Sequence, residues 1–227
     1  MAGSLREGIR LYRAKRWDLA LNELLQVDSV NFDEEDNRDL AYYLGLSYTK
    51  LNRYDDALLY LEQVVTGGAD ALRSYQCRMT LAYIYAITGR SKLAEFELKH
   101  LMDKGYESVQ IYSTLAYSAW MQKRFEPTVD YYKKALGLDA ENTTALNGLG
   151  YVLADTERDP RKALVLCKRA VERKPQNPAY LDSLGWCYYK NGEILEARTW
   201  LRRALDLAPR HGEIRGHMRL VVGDQGV

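Results

Sequence analysis

One dipeptide recurs through the chain at a nearly constant interval. A leucine followed by glycine or alanine stands at Leu44-Gly45, Leu81-Ala82, Leu115-Ala116, Leu149-Gly150 and Leu184-Gly185, and Gly8 opens the series. The small residues are 37, 37, 34, 34 and 35 positions apart. Twelve positions beyond them come Ala20, Ala57, Ala94, Thr128 and Ala197, while one inserted residue in the fifth unit moves the match to Ala163. Six copies held in phase require a stack of repeated units, each touching its neighbours, so chain length ceases to be a guide to domain number.

The unit is clearest between Pro178 and His211. Leu181, Leu184 and Tyr188 fall at i, i+3 and i+7 on one helical face, and Gly185 leaves room for a second helix to approach closely. Lys190-Asn191-Gly192 reads as a turn. Ala197, Leu201, Ala204 and Leu205 then repeat the pattern on a second helix that Pro209 closes. Bulky and small residues at fixed offsets are what two antiparallel helices need to interlock at short range.

This pattern, Leu181-x2-Leu184-Gly185-x2-Tyr188 followed by Ala197-x3-Leu201 and Pro209, resembles the tetratricopeptide repeat, with leucine at the first position where tryptophan is usual. The resemblance covers nearly the whole chain. It implies an all-α fold: an α-solenoid of six helical hairpins plus a C-terminal capping helix, wound into a right-handed superhelical crescent and forming a single domain over 1–227. The repeats are expected at about 1–37, 38–74, 75–108, 109–142, 143–177 and 178–211. A capping helix is expected at about 212–222, where Ile214, Met218, Val221 and Val222 share one face.

Local signals fit these boundaries. Ser4 and Glu7 match a capping box, and Asp159-Pro160 and Asn177-Pro178 each pair a side-chain cap with proline at the first helical position. Gly67-Gly68 reads as a helix end followed by a longer connection. The three cysteines, Cys77, Cys167 and Cys187, lack metal-site spacing. Cys167 shares its repeat position with Leu24, Leu61, Leu98, Tyr132 and Leu201, so free, buried thiols are expected.

Charge separates few partners. With 32 Lys and Arg against 31 Asp and Glu, the net charge of +1 provides no overall attraction to nucleic acid or to an anionic membrane. Residues 1–74 carry 9 basic and 13 acidic side chains and residues 143–227 carry 14 and 10, a drift that reads as solvated faces. No apolar run approaches the ~20 residues of a membrane helix, so this segment is expected not to insert in a bilayer. Met1-Ala2-Gly3-Ser4 has the look of an expression remnant, which leaves room for an upstream signal or anchor. The fifth and sixth units look like the paired repeats of bacterial proteins of this family, envelope lipoproteins included. The resemblance therefore implies the bacterial periplasm or envelope if such a signal preceded the chain, and the cytoplasm otherwise.

Catalytic signatures are missing. None of His100, His211 and His217 has zincin spacing, and no nucleophile elbow is present. Gly148-x-Gly150 lacks the third glycine of a dinucleotide fingerprint and lies inside a helical pattern, where packing accounts for both glycines. No enzyme activity, cofactor or metal is expected.

In proteins of this family the first helix of each hairpin lines the concave face, and the residue after the leucine-small pair points into the groove. That column reads Ile9, Leu46, Tyr83, Tyr117, Tyr151 and Trp186. One turn on come Tyr12, Thr49, Ala86, Trp120, Ala154 and Tyr189; one turn earlier, Leu5, Tyr42, Met79, Ser113, Asn147 and Asp182. Tyr48, Tyr85 and Tyr188 fall at core positions instead. A ring carries about 150 to 250 Å² of buriable surface, so four exposed in one groove exceed the few hundred Å² of apolar patch usual on a monomer. The candidate partner-binding residues are Tyr42, Leu46, Met79, Tyr83, Tyr117, Trp120, Tyr151, Trp186 and Tyr189. The Lys and Asn clamp that some members use for a C-terminal carboxylate is missing: Leu5, Ile9, Tyr43, Gln76 and Thr80 occupy those positions. The expected function is a non-catalytic scaffold that holds a protein or peptide segment in an aromatic groove. The alternative is a module for homo-oligomerisation, or one that packs against another part of its own full-length protein.

Overall fold

The computed structural model describes residues 4–68 and 70–223. Among them are thirteen α-helices and no strand. They fall into two compact units, Met1–Tyr106 and Glu107–Val227. The first holds α1 (Leu5–Arg13), α2 (Trp17–Leu25), α3 (Glu34–Lys50), α4 (Tyr54–Thr66), α5 (Ala71–Ile87) and α6 (Ser91–Asp103). The second holds α7 (Val109–Met121), α8 (Phe125–Leu138), α9 (Thr143–Asp155), α10 (Pro160–Arg173), α11 (Pro178–Lys190), α12 (Ile194–Leu207) and α13 (Gly212–Val222). Within each unit consecutive odd and even helices pair as hairpins, and α13 packs on α12 and α11.

The first helix of each hairpin, and α10, starts on a side-chain cap. Asp159 accepts from the Lys162 N–H at 3.0 Å, Asn177 from those of Ala179 and Tyr180, and proline occupies the first turn of α10 and α11. The capping box expected at Ser4 closes differently. Ser4 accepts from Glu7 N–H, but its own N–H donates to Glu23 Oε1 at 2.7 Å, because the Glu7 carboxylate is held by Arg10. That bond ties the start of α1 to α2 instead of closing within one turn. At the hairpin bend after α11, Gly192 takes φ +81°, the left-handed conformation that only glycine adopts at no steric cost.

The recurring small residue is where the two helices of a hairpin meet. A Cβ added to Gly45 would lie 2.8 Å from Leu61 Cγ, one on Gly185 2.7 Å from Leu201 Cγ, and one on Gly150 2.5 Å from Cys167 Sγ. Their partners, one per hairpin, are fully buried. In the fourth hairpin that partner is Tyr132, whose ring extends beyond the reach of leucine. Gly148 on α9 makes way for it, since a Cβ there would meet Tyr132 Cζ at 2.3 Å. Both glycines of the failed fingerprint are thus packing residues.

Polar contacts also tie helices together, both between neighbouring hairpins and within one. Tyr42 donates to Gln76 and Tyr85 to Glu62 in the first unit, where Arg78 and Glu97 form a largely buried ion pair at 2.6 Å. In the second unit Trp186 Nε1–H donates to Asp155 at 3.0 Å and Lys190 pairs with Glu157 at 2.8 Å. All three thiols are free and buried, with Cys167 and Cys187 Sγ atoms 3.3 Å apart. Burial pushes the Cys77 thiol up to about 12.

Candidate functional site

The nine candidate residues divide between the units. In the first, Tyr42 is buried, its hydroxyl on Gln76 and its ring edge-to-face with Tyr43 at 5.1 Å. It is a core side chain and not open groove, because α5 supplies both Gln76 and the Arg73 guanidinium that lies 5.9 Å from its ring. Leu46 is half-buried against the same core. Met79, also half-buried, and Tyr83, 47% exposed, line a shallow cavity of about 420 Å³ with Thr49 and Tyr54.

The second unit concentrates the aromatic residues. Tyr117 and Trp120 come from α7 and Tyr151 from α9, one helical turn or one repeat apart, which is how the period delivers three rings to one place. Trp120 meets Tyr151 edge-to-face at 6.0 Å and Phe125 at 5.5 Å. Tyr117 is 37% exposed, while Trp120 and Tyr151 are half-buried. With Met121, Tyr132 and Asn147, and with His211, Glu213 and Ile214 from the start of α13, they enclose a cavity of about 460 Å³. The Asn147 Oδ1 atom is buried without a hydrogen-bond partner.

Trp186 departs from its expected place. It is only 6% exposed, because His217 of α13 stacks on it with centroids 4.3 Å apart. His217 is itself buried, and its Nδ1–H donates to both carboxylate oxygens of Asp182 at 2.9 and 3.0 Å. Burial disfavours the imidazolium, but the bond and charge of Asp182, with Glu213 and Asp155 adding, outweigh it and raise His217 above its usual value. Tyr189, half-buried, packs beside Trp186 at 5.2 Å. Burial raises the Tyr151 hydroxyl further, and the charges of Asp155, Glu213 and Asp182 act in the same direction.

His217, Glu213 and Asp155 were not singled out by the sequence, yet one signal was available. Asn147, Asp182 and His217 are each 35 positions apart, so the column one turn before the leucine-small pair continues onto α13. Among the described residues no group of three metal-ligating side chains converges, and no helix is long and apolar enough to cross a membrane.

Helical hairpins repeated at this period are, in general terms, the fold of a protein-interaction module. The chain belongs to the tetratricopeptide repeat family: models described as tetratricopeptide repeat match residues 5–74, 113–178 and 156–218. A TPR repeat-containing protein of Pseudomonas aeruginosa is 40% identical over 80 residues, which cover 35% of this chain and 13% of that protein. Human protein O-mannosyl-transferase TMTC1 is 26% identical over 171 residues, 73% of this chain and 19% of its own length. The chain thus spans less than a fifth of either curated relative. Among solved structures, a thermophilic TPR protein of Thermus thermophilus superposes with a TM-score of 0.67 at 19% identity, covering 82% of this chain and 98% of the other. YrrB, described as a TPR protein with an unusual peptide-binding site, gives 0.54 at 19% identity, with 82% and 95% covered. Proteins of this family are in general non-catalytic scaffolds for protein–protein interaction.

Proposed function

We propose that the chain is a non-catalytic scaffold whose second unit receives a peptide segment of a protein partner on the face formed by Tyr117, Trp120 and Tyr151. The observation that carries this reading is the aromatic cavity of about 460 Å³ between α7, α9, α11 and the start of α13. A concave, largely apolar site with a few convergent polar groups is the usual form of a specific binding pocket. Recognition then rests on ring burial and hydroxyl hydrogen bonds, with Met79 and Tyr83 offering a lesser site on the first unit. YrrB lends a fold-level precedent, since its description names a peptide-binding site. The test is affinity capture with the intact chain as bait, compared by mass spectrometry with a Tyr117→Ala/Trp120→Ala bait of equal thermal midpoint. Proteins held by the first and lost by the second are the expected result; identical captures would sink the reading.

The alternative, an intramolecular or self-assembling module, has one observation in its favour. His217 of the chain's own α13 stacks on Trp186, so a helix of the same chain lies against part of this face. Sedimentation velocity over a wide concentration range separates the two: a monomer at every concentration removes homo-oligomerisation.

A further inference from the structure

The cavity of the second unit has a polarity that an apolar peptide does not use. Its walls are the rings of Tyr117, Trp120 and Tyr151, and its polar lining includes the carboxylates of Asp182 and Glu213 and the side chain of Asn147. No lysine or arginine is among the residues that line it. Asp182 is answered by His217, and the Glu213 carboxylate accepts from the Tyr151 hydroxyl, which leaves lone pairs on Glu213 for a further donor. Asn147 Oδ1 faces no donor although it is shielded from water. Negative charge, an unfilled acceptor and aromatic faces occur together in one open-mouthed cavity.

We propose that this cavity receives a lysine or arginine side chain of the partner segment, held against Trp120 and Tyr151 and hydrogen-bonded to Asn147 and Glu213. The inference rests on the peptide-binding reading above and names the chemistry of its central contact. An ammonium or guanidinium group carries only donors, so it matches acceptors that an aliphatic side chain would leave bare. Ring faces attract a cation most strongly where water is partly excluded, and Trp120 and Tyr151 are half-buried. An acidic side chain would meet the Glu213 carboxylate and be repelled.

Panning a phage-displayed library of random peptides against the intact chain tests this, followed by fluorescence anisotropy with one enriched peptide. The expected outcome is a lysine or arginine fixed at one position, whose replacement by norleucine weakens binding about tenfold. Glu213→Gln should weaken the cationic peptide about threefold and leave the norleucine peptide unchanged, and Glu213 is exposed, so the fold is kept. Trp120→Ala should weaken the cationic peptide about tenfold. If thermal melting shows that variant to be unfolded, Tyr117→Ala takes its place. A cation-free consensus that still depends on Trp120 overturns the cationic pocket and leaves the peptide-binding face standing. Peptides indifferent to Trp120, or no enrichment at all, overturn both.

Discussion

Trp120 and Trp186 are both tryptophans of first helices, yet one borders a cavity and the other lies beneath a histidine. Their substitutions should therefore act on different quantities. Trp120→Ala and Tyr117→Ala are expected to weaken partner binding by roughly 1 to 3 kcal/mol while the thermal midpoint moves little. Trp186→Ala, at a buried site that also loses the bond to Asp155, should destabilise the fold by about 3 to 5 kcal/mol in denaturant titration. Gly148 offers a sharper residue-scale check. Gly148→Ala forces a methyl group against Tyr132 and should cost about 1 to 3 kcal/mol. Tyr132→Leu restores the side chain found at this position in other hairpins, so the double variant should recover much of the loss, and a double-mutant cycle by urea unfolding would reveal the coupling. The position of Tyr132 in the repeat was legible in the sequence. That its extra length is absorbed by a glycine on the next hairpin was not, because periodicity aligns equivalent positions and is silent on which neighbour yields volume.

At the scale of elements, the helices and turns were legible because each hairpin repeats its small residue, its bulky partner and its cap. The last helix was legible only in part. Ile214, Met218 and Val221 are buried as their spacing implies, but the buried face of α13 also carries His217, which a search for apolar residues passes over. That histidine makes the docking of α13 dependent on pH. Its folded-state value is raised above the ordinary 6.5, so the stability it contributes is fully present below that value and is lost as pH rises through the folded value. The groups that set this response are Asp182, Glu213 and Asp155, with Tyr151 and Trp186 as its ring neighbours. Hydrogen exchange in α13, corrected for intrinsic rates, should quicken from about pH 6 towards alkaline pH, and His217→Asn should abolish the trend. Exchange that slows over this range would show that the imidazolium opposes docking.

For the whole molecule, the family was readable from six copies of one spacing, whereas the candidate site was readable only as a column of residues. Spacing placed Tyr117, Trp120 and Tyr151 near one another, but it treated every repeat alike and so could not foresee that α5 would enclose Tyr42 or α13 would cover Trp186. Such covering depends on which side chains neighbouring helices contribute, and this changes from hairpin to hairpin. The division into two units has a consequence of its own through the cysteines. Cys77 lies in the first unit and Cys167 and Cys187 in the second, all three at 0% exposure, so none is open to attack until its surroundings open. The native chain therefore carries its own chronometers. Under mild denaturant, reaction with a chromogenic disulfide reagent should proceed in two phases with amplitudes of one thiol and two, each timing the breathing of a different unit. A single phase that consumes all three would mean the units open as one.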